Sequence, residues 1–300
     1  MNPVVCIAGP TASGKSAWAV KLAKSVDGEI INADAMQVYR DLRVISARPN
    51  ETEMDGVPHH LFGHVDGAVR YSTGMWLRDA EPVILDVLAR GKVPIVTGGT
   101  GLYFKALTQG LAAVPAVNIR PATHILQSDG IEALRDIAAV LDPTATARVL
   151  GDDPQRLIRI VSVAQETGKP LSAWQVSTRP VVPKGYWYGA VMLPARQPLY
   201  DRINDRFDMM VDAGGLTEVR TLMQRRLSED LPVMKAIGVQ QFKGFLDDRE
   251  ILPAAIEIAK RDTRRFAKRQ FTWFRGQAQN WHIVENFTSK SIFEAKLSNL

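Results

Sequence analysis

The stretch "VVCIAGPTASGKSAWAV" (residues 4–20) constrains the fold more than any other part of the chain. A short apolar run ends abruptly in Gly9, Pro10, Thr11, Ala12, Ser13, Gly14, Lys15 and Ser16, which together match G-x-x-x-x-G-K-[ST] in full. The next residues carry helical character, with apolar Ala17, Ala19, Val20, Leu22 and Ala23. Buried strand, glycine turn and helix in that order make a phosphate grip. The glycines let backbone N–H groups converge, and the helix start adds a favourable dipole. Lys15 contributes a point charge, and Ser16 a hydroxyl suited to Mg²⁺.

The neighbouring segments repeat the strand–helix alternation. "EIINAD" (29–34) reads as a second short strand ending in the carboxylate of Asp34, and "EPVILDVLARGK" (81–92) as a helix stopped at Gly91. "VPIVTGGTGLYF" (93–104) is a β-branched strand running into a glycine turn. This pattern predicts an α/β fold, a P-loop NTPase-like parallel sheet flanked by helices. After Leu111 the texture changes: 122–178 reads as helical, and strand character returns only in "GYWYGAVML" (185–193). The expected organisation is a core of residues 1–111 and 185–300, with an inserted all-helical subdomain at 112–184. Within the second part of the core, 196–215 and 253–275 read as helices.

Bulk properties narrow the setting. Cys6, the only cysteine, rules out a disulfide within the chain and a cysteine-based zinc site. No run of about 18 apolar residues suggests a membrane span, and "MNPVVCIAGP" lacks the basic start of a signal peptide. A cytoplasmic monomer is the expectation. The net charge of +5 is unevenly placed: residues 251–300 hold nine Lys/Arg against four Asp/Glu, so the other 250 residues balance. Within "KRDTRRFAKRQFTWFR" (260–275), Arg261, Arg264, Arg265, Lys268, Thr272 and Arg275 recur at helical spacing, with Phe266, Arg269, Gln270 and Trp273 on adjoining faces. Such a face suits RNA, with basic groups on phosphates and Gln or Trp against bases. It also suits an ordinary solvated helix whose Phe266 and Phe274 enter the core.

Phosphate binding does not by itself name a reaction. A purine-reading N-K-x-D is absent, and the strand "PIVTGG" ends in Thr97 and glycines rather than an acid. Asp34 stands where α/β sheets open their ligand sites, as a general base, a metal ligand or a helix N-cap. "TGGTGLY" (97–103) brings either backbone N–H groups and the Thr100 hydroxyl to a ligand, or only a tight loop. His59, His60 and His64 of "HHLFGH" have poor metal-ligand spacing and read as loop packing.

Taken together, "GPTASGKS", "NADAMQVYR", "PHHL", "PIVTGGTGLYF", "LDPTATARVLGDDPQRLIR", "TGKPLSAW", "LYDRINDRFDMMVDAGGLTEV", "AIG" and "TRRFAKRQFTWFR" resemble the tRNA isopentenyltransferase (dimethylallyltransferase) family of bacterial type. The resemblance covers nearly the whole chain. It implies transfer of a dimethylallyl group from dimethylallyl diphosphate to the exocyclic amine of the adenosine 3′ of the anticodon, with release of diphosphate. In that reading the turn Gly9–Ser16 holds the diphosphate, with Mg²⁺ at Ser16 directly or through water. Asp34 is the general base, Thr100 positions the target base or the diphosphate, and Arg206 is a further diphosphate contact. The target adenine is flipped into a channel between the core and the inserted domain. The resemblance places contacts to the tRNA anticodon stem-loop at Asp34, Ala35, Met36, Gln37, Thr100 and Arg120, and at Gln155, Arg156, Leu157, Ile158 and Arg159. Further contacts fall at Lys235, Ala236, Ile237, Gly238, Val239 and Gln240, and at Lys268, Arg269, Gln270, Phe271, Thr272, Trp273, Phe274 and Arg275. Three positions depart from the family pattern: Ala35 stands where a serine is usual, Gly63 where an acid is common, and "IGVQQ" where Ile-Gly-Tyr is usual. Alternatives are prenylation of a free adenine nucleotide, a P-loop kinase of a small metabolite, and a non-catalytic RNA-binding protein.

Overall fold

The computed structural model describes residues 2–176, 178–285, 291 and 293–294. The chain begins β1 (Val4–Ala8), α1 (Lys15–Ser25), β2 (Gly28–Asn32), α2 (Glu51–Met54), β3 (His59–His60), α3 (Thr73–Ala89), β4 (Val93–Gly98) and α4 (Gly101–Gln109). Five helices follow: α5 (Arg120–Ser128), α6 (Gly130–Leu141), α7 (Pro143–Thr146), α8 (Pro154–Thr167) and α9 (Leu171–Trp174). The chain then returns through β5 (Trp187–Met192), α10 (Arg196–Asp212), α11 (Gly215–Gln224), a 3₁₀ turn at Pro232–Lys235, α12 (Val239–Leu246), α13 (Leu252–Gln277) and β6 (His282–Val284).

Among the described residues the strands form one sheet in the order β3-β2-β4-β1-β5-β6, parallel at every pairing. A sheet of this kind is buried on both faces, and the period of two along β1 divides its residues accordingly. Val4, Cys6 and Ala8 enter one core and Val5 and Ile7 the other. The second core is closed by α1 through Trp18, Ala19, Leu22 and Ala23. The first is larger and draws on α3, α4, α10, α11, α12 and α13, with Trp76, Tyr39, Tyr103, Phe104, Phe207, Phe242, Phe271 and Phe274 among its largest side chains. Burial pushes the Cys6 thiol well up, so it stays a neutral packing group.

The mouth of β2 carries one buried acid with full partners. Glu29 pairs with Arg90, His60 and Lys92. Its carboxyl is held down at about 2, chiefly by the hydrogen bond from Arg90 against an opposing push from burial. The histidines are spent in the same manner: His59 bonds the Val57 carbonyl, and His64 meets Tyr71 and Asp79. No group of three or more His, Cys, Asp or Glu is arranged for a metal among the described residues.

The chain divides into two compact units, one running to Thr108 and resuming at Val181, the other Gln109–Pro180. The second unit is built on Ala122, Leu134, Ala138, Leu157, Ile160 and Val161. At its centre Asp142 is 1% exposed and accepts from Ala145 N–H, Ser172 N–H and the Ser172 hydroxyl. Burial pushes that carboxyl up, but these bonds outweigh it and hold it below the usual range. No helix among the described residues is long and apolar enough to cross a membrane.

Candidate active site

The strand order sets β2, β4 and β1 side by side. Their C-terminal ends therefore bring Asp34, the turn Thr97–Gly101 and the turn Gly9–Ser16 to one edge of the sheet, where α/β sites open.

The turn after β1 is a cradle with its donors unspent. Gly9 passes so close to β5 that an added Cβ would lie 2.9 Å from the Met192 carbonyl oxygen. Gly14, at φ 90°, turns the chain into α1 through left-handed backbone that other residues rarely adopt. Ser13 N–H donates to Pro10 O (3.3 Å). The N–H groups of Gly14, Lys15 and Ser16 have no acceptor among the described residues. The Lys15 ammonium reaches only the Pro10 carbonyl oxygen, at 3.3 Å. Burial pushes its pKa down to about 8; nearby Asp34 draws it up and Arg206 presses it down. A half-buried cation, open amides and a helix start together ask for an anion. Ser13 Oγ and Thr97 Oγ1 are buried without a partner.

Asp34 is fixed by its neighbours. Asn32, fully buried, accepts from Asp34 N–H (2.9 Å) and donates through Nδ2 to the carbonyls of Asp34 and Leu61. Trp76 Nε1–H in turn donates to the Asn32 carbonyl at 2.7 Å. One Asp34 oxygen, Oδ1, accepts from Met36 N–H (2.9 Å) and Gln37 N–H (3.4 Å). Those bonds cap a turn rather than a helix, and Oδ2 has no hydrogen bond among the described residues. Thr100 Oγ1 accepts from Ala35 N–H at 2.9 Å, so its own proton remains free to donate. Arg206 makes no hydrogen bond or ion pair among the described residues; burial lowers its pKa and Asp34 raises it.

Asp34, Thr100 and Arg206, with Thr11 and Ala12 of the first turn, line a cleft of about 550 Å³. Thr11, Asp34, Thr100 and Arg206 give it a polar side, and Met36, Ile45, Ile203, Phe207, Met210 and Trp273 an apolar one. One wall is held from a distance by Glu218 on α11. Its carboxylate accepts from the N–H groups of Arg43, Val44 and Ile45 at 2.6–2.9 Å.

Several residues expected to face RNA are occupied inside the protein. The Gln37 amide donates to the Ser46 and Ala47 carbonyls. Gln270 is 6% exposed; its Oε1 accepts from Thr11 N–H and its Nε2 donates to Gly99 O, both at 2.9 Å. Phe271 and Phe274 are core residues, as are Ala236 and Val239, while Leu157 is core in the helical unit. The side chains of Phe271, Val239 and Leu157 are thus corrected from RNA contacts to packing, whereas Ala236, Gln270 and Phe274, though buried, line the cleft. Gly238 is buried at φ 96° between the 3₁₀ turn and α12.

The basic face of α13 is also smaller than its sequence implies. Lys260 pairs with Asp208 and Glu257, Arg261 and Arg265 with Asp262, and Arg264 bonds Asn204. Lys268, Arg269 and Arg275 are exposed without a carboxylate partner among the described residues, and Thr272 is exposed beside them. Lys235 and Gln240 are exposed as well, Ile237 partly so; Lys235, Ile237 and Gln240 line a smaller polar cleft with Arg265 and Arg269. On the helical unit Arg120, Gln155 and Arg156 are exposed, and Ile158 and Arg159 half-buried. Sequence reasoning missed Asn32, Trp76 and Glu218. Only Asn32 carried a local signal, an Asn two residues before an Asp at a strand end.

Comparison with known proteins gives a concordant picture. The IPP transferase family profile matches residues 37–277, and the isopentenyl transferase profile residues 2–62. The tRNA dimethylallyltransferase of Maricaulis maris (strain MCS10) is 49% identical over 98% of this chain and 97% of its own. That of Caulobacter sp. (strain K31) is 48% identical over 94% and 92%. Among solved structures, the full-length tRNA isopentenylpyrophosphate transferase of Bacillus halodurans aligns over 100% of this chain and 99% of its own, at 32% identity and a TM-score of 0.68. A eukaryotic dimethylallyltransferase acting on tRNA aligns over 95% of this chain and 74% of its own, at 28% identity and a TM-score of 0.79.

Proposed function

The chain belongs to the IPP transferase family and transfers a dimethylallyl group to tRNA, and from that premise we propose how its residues divide the work. The donor is dimethylallyl diphosphate and the acceptor is the exocyclic amine of the adenosine 3′ of the anticodon. The diphosphate lies in the turn Gly9–Ser16, received by the open N–H groups of Gly14, Lys15 and Ser16 and by the Lys15 ammonium. Arg206 meets it from α10. The apolar side of the cleft takes the dimethylallyl group and the faces of the flipped adenine.

The amine nitrogen forms a bond to the allylic carbon as the carbon–oxygen bond to diphosphate breaks, and the bonding pair leaves on the diphosphate oxygen. Asp34 Oδ2 accepts the proton that the amine sheds, while Oδ1 stays anchored by the N–H groups of Met36 and Gln37. The Thr100 hydroxyl donates to the acceptor base or to the diphosphate. Charge accumulates on the leaving group, so fixed donors there stabilise the transition state more than the ground state.

Mg²⁺ suits this donor set. Ser16 offers an exposed hydroxyl beside the open amides, a hard oxygen donor of the kind that would hold Mg²⁺. When bound, it neutralises charge on the departing diphosphate. The exposed Lys268, Arg269 and Arg275, with Lys235 and Gln240, take RNA phosphates; Arg120, Gln155 and Arg156 do so from the helical unit. Every residue in this reading belongs to one chain, so a monomer suffices.

The observation that carries the proposal is an Asp34 Oδ2 without a hydrogen bond among the described residues, close enough to Lys15 of the open phosphate grip to raise its pKa. The test is incubation of purified protein with unmodified tRNA, Mg²⁺ and dimethylallyl diphosphate, followed by nuclease digestion and mass analysis. Prenylated adenosine at the position 3′ of the anticodon is expected. Modification elsewhere in the tRNA, or turnover only with ATP and a metabolite, overturns the assignment.

A further inference from the structure

Gln270 sits on α13 beside the exposed Lys268 and Arg269, yet its amide points inward with both its oxygen and its nitrogen engaged. Its oxygen accepts from Thr11 N–H in the turn that follows β1, and its nitrogen donates to the Gly99 carbonyl in the turn that follows β4. The fit is tight: a Cβ on Gly99 would lie 2.3 Å from Gln270 Nε2. Gly99 adjoins Thr100, whose Oγ1 accepts from Ala35 N–H, and Ala35 adjoins Asp34. A continuous path of hydrogen bonds and single peptide links thus runs from the phosphate-gripping turn through the side chains of Gln270 and Thr100 to the residue that bears the carboxylate. Nothing in the chemistry of the transfer uses the Gln270 amide, and a side chain with no polar group would fill the same space.

We propose that Gln270 is a positioning residue for the transfer reaction: it clamps the diphosphate-holding turn to the turn beside Asp34 and thereby sets the distance and direction between leaving group and base. The inference rests on the reading that the turn Gly9–Ser16 holds the diphosphate. By engaging Thr11 N–H, Gln270 withdraws that amide from the ligand and leaves those of Gly14, Lys15 and Ser16 to receive it. The two turns leave strands that pair only as far as Ala8 and Gly98; beyond that pairing, without Gln270, Thr11 and Gly99 would be freer to drift apart. In-line attack tolerates little of that, since a misplacement near 1 Å costs on the order of a hundredfold in rate.

Two variants test the clamp. Gln270→Leu keeps the volume and removes both bonds. Gln270→Glu keeps an acceptor for Thr11 N–H but sets a carboxylate oxygen against the Gly99 carbonyl. When protonated, however, the acid is an isostere of the amide and restores both bonds. Measured for each are kcat, KM for both substrates, affinity for inorganic diphosphate, affinity for an anticodon stem-loop RNA, and Tm. For Gln270→Leu we expect kcat to fall roughly 10- to 100-fold and diphosphate affinity to weaken about tenfold, with RNA affinity within about twofold of the parent. For Gln270→Glu, the activity ratio of variant to parent should climb towards one as pH falls through the carboxyl titration, whereas the ratio for Gln270→Leu stays flat.

Parent-like kcat and diphosphate affinity in Gln270→Leu overturn the proposal, as does a pH-independent ratio in Gln270→Glu. Lost RNA affinity with diphosphate affinity intact overturns it in favour of base reading by Gln270. Should Gln270→Leu fail to fold, the pH ratio of Gln270→Glu decides alone. Lys15→Met serves as the separate control. If it binds diphosphate as well as the parent does, the grip reading itself fails, whatever Gln270 does.

Discussion

The two glycine-rich turns at adjacent strand ends look alike in sequence and are built for opposite purposes. In "GPTASGKS" the backbone amides of Gly14, Lys15 and Ser16 are left open. In "TGGTG" the space that the glycines vacate is filled by the protein's own atoms. A Cβ on Gly98 would lie 2.1 Å from the Ala33 backbone, one on Gly99 2.3 Å from Gln270, and one on Gly101 2.2 Å from the Trp273 ring. The first turn, though Gly9 is itself packed against Met192, keeps amides open that an anion can take. The second is crowded so that Asp34, Thr100 and α13 can stand close together. Glycine content alone does not separate a ligand cradle from a packing joint; the fate of the N–H groups does.

That contrast predicts where substitutions act through chemistry and where through packing. The largest effect is expected at Asp34. Asp34→Asn preserves the cap at Oδ1 and removes the base, so kcat should fall about 10²- to 10⁴-fold, while filter binding reports near-parent tRNA affinity. A comparable loss of binding would make Asp34 a docking residue instead. Lys15→Met follows, with an expected loss of about 10²- to 10³-fold in kcat and little change in Tm, because the ammonium is held in the fold by one carbonyl only. The crowded turn should respond in the reverse manner. Gly99→Ala forces its Cβ into Gln270 and should cost about 1–3 kcal/mol of stability by denaturant titration. Equal stability would mean that the second turn yields as readily as the first.

A fourth prediction concerns pH. Because burial lowers Lys15 to about 8, it is charged below that pH and sheds its proton above it. Diphosphate affinity should therefore weaken as pH rises through about 8. A bound anion pulls the value back up, so binding above pH 8 should take up a proton, visible by calorimetry in buffers of different ionisation enthalpy. The sign for stability is opposite: the empty fold disfavours the charged form, so Lys15 costs stability as pH falls from its ordinary value towards about 8. An affinity flat across that range would place the diphosphate away from Lys15. The smallest effect is expected at the exposed cations. Lys268→Ala should weaken tRNA binding modestly and reduce the salt slope by about one; an unchanged slope would remove it from the phosphate contacts.

The parts of the fold and site that were legible in sequence are those encoded by neighbours in the chain. The phosphate turn, Asp34 at its strand end, the helical segment after Leu111 and the basic helix all announce themselves within about twenty residues. β3 and β6 did not, because strands of two and three residues are too short to display a period of two. The role of Gln270 was invisible for another reason: its two partners lie 259 and 171 residues away. Glu218 likewise supports amides more than 170 residues distant. Composition misled at α13, where the run of cations suggested one continuous binding face. Carboxylates on α10 and α13 and the side chain of Asn204 engage Lys260, Arg261, Arg264 and Arg265, so only the later part of the helix keeps its charge free.

α13 thus carries two obligations on a single rod. Ala255, Ala259, Ala267, Phe271 and Phe274 lock it into the core, while Lys268, Arg269 and Arg275 stand outside. A one-residue insertion before Ala267 would rotate everything after it by about 100°. It would swing cations into the core, withdraw Gln270 from both turns, and lift Trp273 off Gly101 in one stroke. The spacing along this helix is therefore a ruler that permits substitution and forbids insertion. Length variation in proteins built this way has to be absorbed before Leu252 or after Gln277.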